Sequence, residues 1–344
     1  MCNIAGYIGE KNAAPILIDM IKKQEMFDGG CCTGIATIFE GKIYMRKVLG
    51  DVQTLIDETD ALLLPGKIGI AHTRPMGDHG EYAHPFIADN GKMALVENGT
   101  LRDVHQTSRK RNALADMIAE SGITFSSLVN DSHEAYPHLK TGETVSVCEL
   151  EAHIMADYKN KGFSIEEAMV KMMADIYSDI VSVIIHTDSP ENIYVTRNSR
   201  PMHILSLSDE TYIASTQFAF PKEYMHYHTV SLPPLRCSRI FKGGYEVTPY
   251  YVEGERIAPL CAETYFKAYQ KISKILDGKK GCPLCYDDIE NYIYFECSDI
   301  WCEPHTLNQC ASISYEILFA LEREGRLKHI IKTVGNKKRD FMYI

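Results

Sequence analysis

The stretch Met1-Cys2-Asn3-Ile4-Ala5-Gly6-Tyr7-Ile8-Gly9 decides how this chain is read. Removal of the initiator Met would leave a thiol and a free α-amine on one residue, and Cys2 is small enough for an aminopeptidase to uncover it. A free cysteine thiol titrates near about 8.5 and an α-amine near about 7.7–8.0, so the amine can take the thiol proton directly or through one water. Nucleophile and base then share a single residue. The apolar, glycine-punctuated run after Cys2 predicts a buried strand, which would fix the nucleophile on a rigid element. An ordinary buried cysteine in a first strand is the competing reading if nothing else in the chain agrees.

Other segments agree. Ala71-His72-Thr73-Arg74, His79-Gly80 and Ala83-His84-Pro85-Phe86 form a polar cluster after the apolar run Ile68-Gly69-Ile70. A second strand-like run, Met93-Ala94-Leu95-Val96, leads into Glu97-Asn98-Gly99-Thr100-Leu101. Further on stand Ser182-Val183-Ile184-Ile185, Pro190-Glu191-Asn192-Ile193-Tyr194-Val195-Thr196-Arg197, Arg200-Pro201-Met202 and Tyr212-Ile213-Ala214-Ser215. In order and spacing these resemble the class II glutamine amidotransferases, which are N-terminal nucleophile hydrolases. The nearest likeness is to the glutaminase domain of glucosamine-6-phosphate synthase, with its Cys-Gly-Ile-like start, His-Thr-Arg-Trp, Ala-His-Pro and His-Asn-Gly. The resemblance covers about residues 2–250. It implies an α+β fold, a four-layer αββα sandwich with two antiparallel sheets between helical layers.

The resemblance also implies a chemistry, and amide hydrolysis explains why these residue types are needed. Cys2 would attack the side-chain carbonyl of glutamine, ammonia would leave, and water would hydrolyse the thioester. The tetrahedral oxyanion needs preorganised donors, each typically worth about 2.7–4 kcal/mol of barrier. Asn98 and Gly99 fit that role: the amide of one and the backbone N–H of the other would point into one hole, and glycine lets a backbone approach closely. Without Cys2, Asn98-Gly99 would read as a hairpin turn. Arg74 would hold the substrate α-carboxylate through two parallel hydrogen bonds, with His72 and Thr73 shaping the same loop. The family's Asp-Thr-Glu segment supplies a carboxylate for the substrate α-amine. Here Glu149 falls at the Asp position and Glu151 at the following Glu; both would also favour a helix N-terminal dipole.

Some positions depart from the family. Its Arg-Gly-Tyr-Asp-Ser-Ala-Gly is replaced by Phe27-Asp28-Gly29-Gly30-Cys31-Cys32-Thr33-Gly34, the Trp after the motif Arg is Pro75, and one residue is inserted before His79. These changes bear on substrate identity more than on reaction type. A catalytically silent amino-acid sensor is therefore an alternative to a glutaminase. An acylase of N-terminal-cysteine type, acting on another amide, is a third reading that Arg74 and Asn98-Gly99 disfavour.

Composition sets outer bounds. A chain of 344 residues supports two domains, read as 2–255 for the amidotransferase and 256–344 for a smaller accessory domain. A formal charge of −10 gives no bulk attraction to nucleic acid or anionic membrane. No apolar run spans a bilayer and no signal peptide is evident, so a cytoplasmic location is expected, with the eleven cysteines as thiols. No cofactor is implied. Glutamine is the expected substrate, and self-association is compatible with the sequence. Tandem sugar-isomerase domains, or a phosphoribosyltransferase domain, need more residues than follow 255, so an ammonia-accepting synthase is expected as a separate partner.

The last ninety or so residues predict helices over 262–276, 287–300, 303–312 and 314–325, then two strands around Gly335-Asn336. That pattern resembles a winged-helix domain, with the helix at 315–324 as its packing or recognition element. Basic residues in the wing favour phosphate contacts, but Glu316, Glu322 and Glu324 on the helix oppose them, so DNA binding is not the favoured role. Cys282, Cys285, Cys302 and His305 could make a tetrahedral zinc site. The irregular second half favours separate buried thiols, and no metal is expected.

Overall fold

The computed structural model describes residues 2–75, 77, 79–100, 104–130, 136–176, 179–249, 262–279, 284–285, 293–301, 309–334 and 337–343. Thirteen strands up to residue 249 form two sheets. They are β1 (Asn3–Ile8), β2 (Cys32–Phe39), β3 (Lys42–Leu49), β4 (Ile68–Arg74), β5 (Phe86–Ala88), β6 (Met93–Thr100), β7 (Asp179–His186), β8 (Ile193–Arg197), β9 (His203–Ser206), β10 (Thr211–Ala214), β11 (Val230–Ser231), β12 (Arg236–Phe241) and β13 (Gly244–Pro249). The first sheet runs β11-β9-β10-β1-β4-β2-β3 and the second β13-β12-β8-β7-β6-β5. Every registered pair is antiparallel.

Side-chain alternation sorts each strand between two cores. Ile4, Ile70, Ala94, Val96, Val181 and Val183 belong to one apolar cluster between the sheets. Ala5 and Ala71, one residue further on, join the cluster under α1 (Ala13–Asp28) and α2 (Val52–Glu58). On the far side, Met93, Leu95 and Ile184 pack under α3 (Val104–Glu120), α4 (Val147–Asn160) and α5 (Ile165–Asp175). The result is helices, sheet, sheet, helices. Strands covered on both faces have no polar side, which is why β1 and β7 are buried along their whole length. Helix α5 begins with a full capping box, Ser164 and Glu167 each bonding the other's backbone.

After residue 261 come α6 (Ala262–Asp277), β14 (Leu284–Cys285), α7 (Ser298–Trp301), α8 (Cys310–Arg323), β15 (Lys328–Val334) and β16 (Lys337–Tyr343). The expected hairpin is present, with a third strand, β14, added beside β16. Two expectations need correction. Helix α8 runs through residues 312–314 without a break, and of its residues only Arg323 is exposed. A helix apolar nearly all round is a core element, not one free to enter a groove. Glu316 and Glu322 are half-buried rather than solvated, and Ser231 Oγ donates to Glu316. This segment also shares a core with α1: Phe27 of α1 stacks on Phe218 at 5.2 Å, and Phe319 of α8 meets Phe218 edge-on at 5.4 Å. Cys282, Cys302 and His305 lie outside the described residues. Among the described residues no cluster suited to a metal is found, and no helix is long and apolar enough to cross a membrane.

Candidate active site

One end of the inter-sheet layer is polar. Cys2 directly precedes β1, and carrying the alternation back from Ile4 aims its thiol into that layer. Asn3 turns the other way, donating from Nδ2 to the Gln24 and Asp28 carbonyls near the end of α1. These bonds tie the neighbour of Cys2 to a packed helix. Across the ladder, Asn3 pairs with Thr73 and Ile4 with His72, so Arg74 comes beside Cys2; on the other flank Arg74 pairs with Cys32. Burial pushes the Cys2 thiol up and the Arg74 charge pulls it back. A thiol protonated at rest needs a base, the role open to an α-amine on the same residue.

Arg74 is held by donation from Nη1 to the Tyr82 carbonyl at 3.3 Å and from Nη2 to the Tyr136 hydroxyl at 2.8 Å. Its Nε, also buried, has no partner among the described residues. Tyr136 stacks on Tyr82 at 4.5 Å, and the Tyr82 hydroxyl meets Thr144 Oγ1 at 2.6 Å. No motif announces Tyr136: it lies 62 residues from Arg74 along the chain.

Asn98-Gly99 is not a hairpin turn. Both residues continue β6, with Asn98 opposite Val181 and Gly99 opposite Ile180. Val96 places Asn98 on the inter-sheet side, facing the layer that holds Cys2; its Nδ2 is buried and has no partner among the described residues. The ladder also fixes the Gly99 N–H. The Ile180 carbonyl accepts from Asn198 on the β8 side, so the Gly99–Ile180 pair does not exchange bonds. The Gly99 N–H therefore points to the other edge of β6, where β5 has already ended opposite Leu95. On that same edge the Glu97 N–H donates to His84 Nδ1 at 3.3 Å. A Cβ at Gly99 would stand 2.2 Å from Ile180 Cγ2 and 2.6 Å from the Asp179 carbonyl, so no larger residue fits.

The remaining sequence-derived candidates divide. His72 shares the inter-sheet face, stacks on His84 at 4.1 Å, and is pushed down to about 3 by burial and the Arg74 charge, so it is neutral. Thr73 faces α1 instead, where its Oγ1 accepts from the Gly30 N–H at 2.9 Å. It shapes the loop but is on the wrong face to touch a substrate beside Cys2. Glu149 is likewise committed elsewhere. One carboxylate oxygen accepts from Ser126 N and Oγ at 2.8 and 2.7 Å, the other from Ser127 N and Oγ at 2.8 and 2.5 Å. It lines a cavity of about 330 Å³ that Cys2, Arg74 and Asn98 do not line. Glu149 thus anchors the 126–127 loop to α4.

That anchoring has a measurable cost when removed. Burial alone would raise the Glu149 carboxyl, but hydrogen bonds from His153, Ser126 and Ser127 outweigh it and hold the group near about 2 instead of 4.5. The folded chain therefore prefers the ionised form more than the unfolded chain does. The stabilisation is complete above about pH 4.5 and is lost as pH falls towards about 2. Glu149→Gln is expected to cost about 3 kcal/mol at neutral pH in urea unfolding, a deficit that shrinks in acid. A variant as stable as wild type would remove the anchoring role.

No family model matches the chain. Over 224 residues it is 29% identical to a glutamine–fructose-6-phosphate aminotransferase (isomerizing) of Pyrococcus horikoshii, covering 64% of this chain and 33% of that protein. The Chlamydia trachomatis protein of the same name is 27% identical over 261 residues, covering 75% and 38%. The chain spans about a third of the length of these curated relatives. Among solved structures, the glutamine phosphoribosylpyrophosphate amidotransferase of B. subtilis shares the fold with a TM-score of 0.59 at 18% identity, over 82% of this chain and 60% of that one. In motif order, sequence and fold, the N-terminal two thirds of this chain is similar to the glutamine amidotransferases.

Proposed function

We propose that the domain hydrolyses the side-chain amide of glutamine to glutamate and ammonia through a Cys2 thioester, and that the ammonia is passed to an acceptor site on a partner. The observation that carries this reading is the convergence of Cys2, Arg74 and the unpartnered Asn98 amide at one end of an otherwise apolar layer. With Met1 removed, the α-amine takes the Cys2 thiol proton as sulfur attacks the amide carbon. The developing oxyanion accepts from Asn98 Nδ2 and the Gly99 N–H. The ammonium formed at the α-amine returns its proton to the departing nitrogen, and water then cleaves the thioester by the same route. Arg74 orients the substrate by its α-carboxylate, with Nε open for one of the two bonds.

The names of the curated relatives pair glutamine with a sugar-phosphate acceptor, which supports glutamine as the nitrogen source here and leaves the acceptor to be found. The test is glutamate and ammonia release from glutamine. Arg74→Lys is expected to raise KM about 10–100-fold with a smaller effect on kcat, because an ammonium cannot make the two-point contact. An unchanged KM would take Arg74 out of substrate binding. Cleavage of N-acyl amides in place of glutamine would move the domain to another substrate class.

A further inference from the structure

Directly behind the oxyanion strand lies a buried charge cluster that the mechanism does not use. Alternation turns the side chain of Glu97, the residue before Asn98, to the helical face of its sheet. Its cross-strand neighbour there is Ser182, whose Oγ donates to Glu151 Oε2 at 2.7 Å. Glu151, on α4, is wholly buried, and its Oε1 has no partner among the described residues. Arg111, on α3, is 1% exposed and interacts electrostatically with both carboxyl groups. Two acids and one guanidinium are thus enclosed together, from three elements.

We propose that Glu97 and Glu151 hold one proton between them opposite Arg111, and that Glu97 in this state is a positioning residue for the Asn98–Gly99 oxyanion donors. This rests on the glutaminase reading. With one proton these three groups are together neutral; with none they carry a net negative charge beside a wholly buried Glu151 carboxyl group, which is disfavoured. Burial pushes Glu97 up to about 7 against the opposing pull of Arg111, Arg74 and Arg200, and burial together with the Glu97 charge pushes Glu151 up as well. Among the described residues, the charged or titratable groups facing Glu97 come from several elements. Arg111 comes from α3, Glu151 and Cys148 from α4, Arg74 and His72 from β4, Arg200 from the turn after β8, His84 from the loop before β5 and Cys2 from the start of β1. Loss of the proton above about pH 7 adds repulsion behind the strand and raises the Cys2 thiol, so both effects slow the reaction in the same direction.

The test compares wild type, Glu97→Gln and Glu151→Gln. The kcat/KM profile for glutamine should fall less on the alkaline side in Glu97→Gln, which matches wild type within about twofold near pH 6 and exceeds it at least about threefold near pH 8.5. Infrared difference spectra of the same chains should show a protonated-carboxyl band in wild type that is missing from both single variants, since either remaining acid ionises beside Arg111. Superimposable pH profiles overturn the positioning role. A band that survives in one variant assigns the proton to a single acid and overturns the sharing. A wild type with no glutaminase activity overturns the glutaminase reading and the positioning role with it, while the infrared result still decides the shared proton.

Discussion

Cys2→Ala is expected to abolish glutamate release, by at least about 10⁴-fold, while glutamine still binds. The size follows from the role. In the mature chain, residue 2 would supply the attacking sulfur, and its own amine the proton acceptor. Alanine keeps the amine but removes the only bond the reaction can form. Binding should persist because Arg74 is held by Tyr82 and Tyr136 rather than by the thiol. Calorimetric titration of glutamine into the variant, beside the activity assay, separates the two. Both measurements require a chain whose intact mass shows that it begins at Cys2. Residual turnover within tenfold of wild type would place the chemistry on another group.

Asn98→Ala is expected to lower kcat about 10²–10³-fold with little change in KM, the typical loss of one oxyanion donor. Its Nδ2 is buried and has no partner among the described residues, so the amide is positioned before the substrate arrives. Such a donor acts on charge that appears only in the transition state, which is why the loss falls on kcat. Removing an unpartnered buried amide should also leave folding stability nearly unchanged, and thermal unfolding of the variant checks that. An equal fall in stability and activity would instead mean that Asn98 is a structural residue. Gly99 does not offer a comparable test, since any side chain there collides with Ile180.

Much of this site is legible in the chain. The N-terminal run marks a buried strand with a nucleophile at its start, and Arg74 and Asn98-Gly99 follow short apolar runs in an order few folds would produce. What a local motif leaves open is which face a residue takes. Thr73 stands between two residues of the inter-sheet face, and a shift of one along a strand reverses the side; the alternation Ile70, His72, Arg74 already contains that information. Glu149 is harder. Whether position 149 or 151 of α4 faces the sheet depends on how the helix is rotated against it, and only packing settles that. The partner set of Glu97 comes from residues 111, 151 and 182, which no local pattern links. In α8 Glu316 and Glu322 read as part of a solvated stripe, whereas the apolar residues around them are numerous enough to bury all but the end of the helix.

The most direct measurement is acid quenching of the chain during glutamine turnover, followed by mass spectrometry of its N-terminal peptide. The expected result is a γ-glutamyl group on Cys2, present in wild type, absent from Cys2→Ala, and accumulating with the same glutamine dependence as glutamate release. Glutamate formed at full rate with no adduct on Cys2, or with the adduct on another cysteine, would contradict the assignment of Cys2 as the nucleophile.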